Sequence, residues 1–312
     1  MTAARKRIVI LDHNRGRLAN QLWNFMGIYA YCLEKGHALE NHSFFDYAGF
    51  FNIPSPRNLF VRFFFFSALA KKKWYRRWRP YDRYVAFMEK IFLKRVIFDD
   101  TANPFYLPPS QNHNQKQTRQ IDFIETSPYT MLYTHGWLFR NPAGIEKYRN
   151  QIKEYFQPKE LIIAKINSFL SPLRKRFKHI VGVHIRQTDY QKFAGGQYFF
   201  TQEEVRNMLD GYLRFSQRNT FDVVFIICSD GVVEQSAFDG LNIALPAGNM
   251  VEDLFTLART DVIIGSNSTY GAFASYYGNI PFVVFERGNI EWEYYRDKKG
   301  YFENKKNALV HY

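Results

Sequence analysis

Cysteine is nearly absent: Cys32 and Cys228 are the only two in 312 residues. A disulfide scaffold is thereby excluded, and a reducing compartment is the default expectation. Long apolar runs are missing too, so no segment reads as a membrane span. At the start, Arg5, Lys6 and Arg7 pass straight into a short strand-like stretch, without the apolar region of a signal peptide. The expectation is a cytoplasmic protein. Neither G-x-G-x-x-G nor a phosphate-binding P-loop occurs. His37 and His42, like His179 and His184, are sequence neighbours without a third ligand, so no metal site is indicated. Asn267-Ser268-Thr269 is formally a glycosylation sequon, which has no meaning in a cytoplasmic chain. Acidic residues are scarce, 29 against 42 basic ones, for a net charge of +13.

With 46% hydrophobic and 23% charged residues, the chain is not a disordered tail. Its length fits about two domains. Most of the charge excess sits between Arg57 and Arg95, where twelve basic residues face only Asp82 and Glu89. Within this segment lie Phe63-Phe64-Phe65-Phe66 and then Lys71, Lys72, Lys73, Trp74, Tyr75, Arg76, Arg77, Trp78 and Arg79. Cations interleaved with tryptophan suit an anionic membrane surface, with Lys71 to Arg77 and Trp78 as the contact. The same composition suits nucleic acid through phosphate contacts and stacking. It equally suits an irregular solvated segment whose phenylalanines complete a core.

Residues 7–11 read as a buried strand, and Leu18 to Cys32 has helical spacing, with Gly36 closing the helix. A strand is expected near Tyr129 to Tyr133, and helices over Ile145 to Phe156 and Lys159 to Phe169. The second half is more regular: His179 to Arg186, Asp222 to Ser229, Val262 to Gly265 and Pro281 to Phe285 read as strands. Helices are expected over Thr201 to Phe215, Glu252 to Arg259 and Tyr270 to Tyr277. Thr201 and Glu204 form a capping box. Strands alternating with helices mean an α/β fold with parallel sheets. The expected domains are 1–170, carrying the basic aromatic segment 57–95, and 171–312, with a last helix returning to the first domain.

In open parallel sheets, ligands bind beyond the carboxyl ends of the strands. Polar clusters follow four of the expected strands: Asp12 to Asn20, His184 to Tyr190, Ser229-Asp230-Gly231 and Ser266 to Gly271. Arg186, just after a buried strand, is suited to bidentate contact with a phosphate. Asn267, Ser268 and Thr269 enter a helix and offer hydroxyls and backbone N–H groups to the same anion. Asp230 is suited to accept from a ribose or a base. Each also has a plainer reading: Arg186 as partner of Asp189, Ser268 as a helix cap.

Taken in order, these clusters resemble a known family. Gly16-Arg17-Leu18-Ala19-Asn20-Gln21-Leu22-Trp23 resembles the G-x-x-G-N-Q-x-F motif of α-1,2-fucosyltransferases and the G-R-F-G-N-Q of protein O-fucosyltransferases. His184-Ile185-Arg186-Gln187-Thr188-Asp189-Tyr190 resembles their H-x-R-R-x-D-Y. Ile227-Cys228-Ser229-Asp230 is similar to their strand ending in S-D. The stretch from Asp253-Leu254 through Asp261 to Asn267-Ser268-Thr269-Tyr270 resembles a further motif.

The resemblance implies a GT-B-like architecture, two Rossmann-like domains facing a cleft, with GDP-fucose as donor and no cofactor. It implies inverting, metal-independent transfer to a glycan hydroxyl; the D-x-D metal site of many sugar transferases is missing here. By position, Arg186 contacts the GDP phosphates and His184 shapes that pocket. Asp230 faces the guanosine, Ser268 and Thr269 bind the β-phosphate, and Asn20 with its loop, Gly16 and Arg17 included, closes over the sugar. Asp189 and Asp12 are the carboxylates available as general base, Asp189 alternatively orienting the arginine loop.

Two positions depart from the family. Gln187 stands where a second arginine is usual, and Ala19 replaces a loop glycine, which leaves another GDP-sugar open as donor. The acceptor expected is a lipid-linked or surface-polysaccharide precursor (lipopolysaccharide included), with the basic segment on the inner membrane face. A catalytically inactive GDP-sugar-binding protein and a nucleic-acid-binding protein remain alternatives.

Overall fold

The computed structural model describes residues 5–12, 16–67, 74–98, 121–136, 141–303 and 306, the side chains of 74–77 and 98 excepted. The last residues, and with them the expected return of a terminal helix, lie outside the described residues, as do Lys71, Lys72 and Lys73. Two compact units result, one running through Lys159 and the other starting at Glu160.

The first unit carries a parallel four-stranded sheet. Its strands are β1 (Arg7–Asp12), β2 (Ala38–Asn41), β3 (Val96–Phe98) and β4 (Met131–His135), in the order β2-β1-β4-β3. Ile8 to Leu11 is fully apolar and buried, as a strand covered on both faces requires. Helix α1 (Leu18–Lys35) follows and ends at Gly36, whose φ of 69° is a left-handed cap that glycine adopts without strain.

The aromatic, basic segment is more regular than an irregular solvated stretch. It forms a short helix α2 (Leu59–Val61), a π-helical turn over Arg62–Phe66 and an 18-residue helix α3 (Trp74–Ile91). Val61, Phe65, Tyr81, Tyr84, Val85 and Met88 turn inward onto β1 and β4 residues. Trp78, expected at a membrane, packs its ring 4.9 Å from Phe45 and is partly buried against this core. A short helix α4 (121–126) precedes β4. The single helix expected over Ile145 to Phe156 is two, α5 (Pro142–Lys147) and α6 (Arg149–Tyr155), broken at Tyr148.

The second unit opens with α7 (Glu160–Arg176), which spans the 170/171 border read from the sequence. It packs on α9 (Met250–Leu257) and on β5 (His179–Ile185), burying Ile162, Ile166 and Leu170. Arg174 holds both carboxylate oxygens of Asp261 at 2.7 Å, and Asp261 also accepts from the Ile180 amide. The family-like Asp261 therefore ties α7 to the sheet. Five parallel strands follow the order β7-β6-β5-β8-β9. The other four are β6 (Val223–Ser229), β7 (Ile243–Ala244), β8 (Val262–Gly265) and β9 (Phe282–Val284). Between them run α8 (Gln202–Ser216), α9 and α10 (Thr269–Gly278), and α11 (Trp292–Tyr295) comes last. Thr201 and Glu204 make the expected capping box at α8. Among the described residues no helix is long and apolar enough to cross a membrane.

Candidate functional site

Because β5, β6 and β8 are parallel neighbours, their carboxyl ends share one edge of the second sheet. Register places His184 opposite both Cys228 and Gly265. The polar residues that follow therefore emerge side by side. Gly265 is where this closeness is greatest: a Cβ there would stand 2.7 Å from the His184 carbonyl oxygen, so any side chain would push β8 away from β5.

The arginine loop and the serine turn are joined directly. The Arg186 amide donates to Ser266 Oγ at 2.9 Å, and the Ser266 amide donates to the His184 carbonyl. Tyr190 donates its hydroxyl to the Asn267 carbonyl at 2.8 Å. Ser268 is fully buried, caps α10 through the Gly271 amide, and its hydroxyl lies 3.2 Å from His184 Nδ1. The start of α10, with its positive dipole end, is thus held beside Arg186.

Arg186 donates through Nε and Nη2 to the two oxygens of Asp189, at 2.9 and 2.6 Å, and its guanidinium lies 4.7 Å from the centre of the Tyr190 ring. Its Nη1 has no protein partner among the described residues. Burial disfavours the Arg186 charge, but Asp189, Tyr190 and Asp230 outweigh it and raise the pKa. The side chain is a fixed cation with one edge held and one edge available.

Asp230 accepts from the Gln187 amide at 2.7 Å, the Thr188 amide at 3.2 Å and the Thr188 hydroxyl at 2.6 Å. Burial works against its charge; the Thr188 hydroxyl, these amides and Arg186 prevail and hold its carboxyl below the usual range. Asp230 thus anchors the loop that carries Arg186. Gln187 lies over Gly231, where a Cβ would meet its Oε1 at 2.2 Å.

Burial, seconded by the Arg186 charge and opposed by Asp230, pushes the His184 pKa down to about 3. Burial likewise lowers His179 to about 4, with Arg218 and Arg174 adding to the effect and Asp261 opposing it. Both imidazoles are neutral in the folded protein at pH 7. For a histidine with a depressed folded pKa, the unfolded chain takes up the proton first as pH falls below about 6.5. Stability contributed by these residues is therefore present above that pH and is lost toward pH 4. Nuclear magnetic resonance of the imidazole protons is expected to show no titration of His184 between pH 5 and 8, together with a thermal midpoint that falls from pH 7 to pH 5. A His184 titration near the ordinary value would contradict this.

Three residues carry more than the sequence reading gave them: Asp253 in the second unit, and Glu89 and His135 in the first. Asp253, on α9, has a buried Oδ1 without a hydrogen-bond partner among the described residues. Burial, and secondarily Glu252, push its pKa up to about 6. Its charge is felt by Cys228 and Tyr270, and the Tyr270 ring stacks on His184 at 4.8 Å. An acceptor without a donor beside an aromatic pair is an incomplete hydrogen-bond arrangement. Its helical position gave no signal beyond its place in the family-like motif.

In the first unit, Asp12 ends β1 and His135 ends β4. His135 Nε2 lies 3.6 Å from Asp12 Oδ2, and His135 Nδ1 bonds Glu89 of α3. A histidine between two carboxylates can hold and pass a proton. Glu89 and His135 are separated by 46 residues, and neither stood out in the sequence. Arg17 is the exposed residue before α1, Gly16 accepts from the Gln21 amide side chain at 2.8 Å, and Asn20 is half-buried in the first turn.

Comparison with protein-family models gives no match, and neither does comparison with curated proteins. Solved structures do match. One is POFUT1 in complex with GDP, at 12% identity and a TM-score of 0.54, covering 91% of this chain and 98% of that one. A mutant of Arabidopsis thaliana FUT1 in complex with GDP has 12% identity and a TM-score of 0.56, covering 96% and 74%. The fucosyltransferase NodZ from Bradyrhizobium has 12% identity and a TM-score of 0.54, covering 91% and 97%. The chain therefore has an α/β fold with two parallel sheets, like that of GT-B fucosyltransferases.

Proposed function

We propose that the protein is an inverting glycosyltransferase that moves fucose, or a related sugar, from a GDP-sugar to a glycan hydroxyl without a metal ion. The observation that carries this reading is the joining of Arg186 to the start of α10 through Ser266. In the transfer, the bond between the anomeric carbon and the β-phosphate oxygen breaks, and its electron pair leaves with the diphosphate. The acceptor oxygen bonds to the opposite face of that carbon and gives up its proton. Negative charge grows on the diphosphate, and a fixed guanidinium with helix-start amides is suited to stabilise it.

Asp189 and Asp230 act as positioning residues for Arg186. Ser268 supports the turn as its cap and as partner of His184, and Thr269 with the start of α10 binds the β-phosphate. Asp253 accepts from the guanine edge, whose N1–H and N2–H groups match a carboxylate, while the His184–Tyr270 pair lies beside it. The sequence reading assigns the sugar to Asn20, Gly16 and Arg17 and the acceptor proton to Asp12, whose neighbour within the first unit is His135. The structures of POFUT1 and NodZ with GDP or GDP-fucose support this choice of donor. Lipid-linked or surface-polysaccharide precursors are the acceptors proposed, with the reaction at the inner face of the membrane.

An inactive GDP-sugar-binding protein is the second reading, favoured by Gln187 in place of a cation. Mass spectrometry of GDP-fucose incubated with the protein, EDTA and a glycan mixture separates the two. The proposal expects GDP release and a glycan heavier by one deoxyhexose; tight GDP binding with neither product would favour the inactive reading.

A further inference from the structure

In the first unit, the four-phenylalanine run splits. Phe65 is buried, whereas Phe63 and Phe64 are 62% and 53% exposed. Leu59 and Phe60, just before them, are 75% and 49% exposed. The rings form one group: Phe60 lies 4.6 Å from Phe64, and Phe63 lies 5.3 Å from Phe64. Phe60 also lies 5.8 Å from Tyr84, which connects the group to α3. Phe87 and Ile91, three and seven residues beyond Tyr84, share its side of the helix and are again more than half exposed. Soluble proteins rarely leave so many large apolar side chains together in water.

The charge around this group has a single sign. Across the described part of 57–95, the exposed charged residues are Arg57, Arg62, Arg79, Arg83, Lys90 and Lys94, all basic. The two acids turn partly inward: Asp82 is half-buried, and Glu89 bonds His135. Arg62 sits between Phe60 and Phe63 in the chain, while Arg83 and Lys90 flank Phe87 at helical spacing.

We infer that this face docks on an anionic lipid surface, Phe63, Phe64 and Phe87 entering the acyl boundary and the surrounding cations meeting lipid phosphates. Two other occupants fit less well. A second copy of the chain would bring like charges together. Nucleic acid would use the cations and stack on the rings, but it would leave Leu59 and Ile91 without an apolar partner. The resulting arrangement, apolar side chains rimmed by cations, is that of interfacial binding, in which buried apolar area and electrostatic attraction add. The inference is independent of the donor reading, since none of these residues belongs to the candidate site of the second unit.

The test is co-sedimentation of the whole protein with phosphatidylcholine vesicles, with and without phosphatidylglycerol, and with a single-stranded oligonucleotide as competitor. Two triple variants are compared, Phe63→Ser/Phe64→Ser/Phe87→Ser and Arg62→Glu/Arg83→Glu/Lys90→Glu. Thermal unfolding verifies that each is folded. Wild type is expected to pellet with the anionic vesicles only, and each variant to partition at least about tenfold less. Soluble glycerophosphate should not displace the protein. The inference is overturned by wild type remaining in the supernatant, by equal pelleting on neutral vesicles, or by serine variants that pellet like wild type. It is also overturned if the oligonucleotide binds and the vesicles do not.

Discussion

Replacing Arg186 with alanine is expected to weaken GDP binding by about a hundredfold or more, the loss usual when one partner of a buried charged contact is removed. The reason lies in what surrounds the guanidinium. Nε and Nη2 are held by Asp189, so the remaining edge is presented without further rotamer cost. Removal takes away that edge and also the cation that Asp189 holds in its fork, a negative change of charge near the diphosphate. Arg186→Lys should recover only part of the affinity, because an ammonium cannot keep the Asp189 fork and reach a phosphate in the same geometry. Asp189→Asn should cost less than Arg186→Ala, since it loosens the cation but keeps it. Calorimetric titration of the three variants with GDP, in EDTA, measures the series. Transfer should fall further than binding, because the charge on the diphosphate is greatest in the transition state. If Arg186→Ala bound GDP like wild type, the assignment of the phosphate site would be wrong.

Asp253→Asn is expected to act with opposite signs on folding and on binding. Burial raises the Asp253 carboxyl to about 6. For an acid with a raised folded pKa, the folded state holds the proton more tightly, so stability declines as pH rises from about 4 through 6 and stays lower above. An asparagine carries no such cost, and the variant should unfold at a higher temperature than wild type at pH 7.5, with the difference vanishing near pH 4. Binding should move the other way. An asparagine oxygen accepts from one guanine N–H while its amide opposes the second, and GDP affinity should fall by about tenfold to a hundredfold. Discrimination against inosine diphosphate, which lacks the N2 amino group, should shrink in parallel. In wild type, GDP should bind less tightly as pH drops below about 6 and the carboxyl takes up a proton. Differential scanning calorimetry across pH, with GDP and inosine diphosphate titrations, provides both readouts. A variant destabilised at neutral pH, or one with undiminished GDP affinity, would contradict the assignment.

The second sheet was legible because β5, β6 and β8 are buried on both faces and read as largely apolar runs. The polar residues after them could then be placed on one edge by the rule for parallel sheets alone. What those residues do to one another was legible only in part. The pairing of Arg186 with Asp189 was one of the two places open to that aspartate, whereas Asp230 looked like a ligand contact and its hydrogen bonds run to the loop that carries Arg186. Nor did periodicity mark Asp253, whose character comes from a buried oxygen lacking a donor. In the first unit, β2 is half-buried along its whole length and has no apolar signature. Pro80, which removes an amide from the helical ladder, disguised α3 among arginines and aromatics. The outward phenylalanines were hidden for a related reason: four identical side chains in a row give no periodicity, and the π-helical turn alone decides that Phe65 goes in while Phe63 and Phe64 stay out.

A structure of the protein soaked with GDP in the presence of EDTA tests the central claim most directly. The account predicts diphosphate density within hydrogen-bond distance of Arg186 Nη1 and of the first amides of α10. Diphosphate density elsewhere on the molecule, or its absence at saturating GDP, would contradict it.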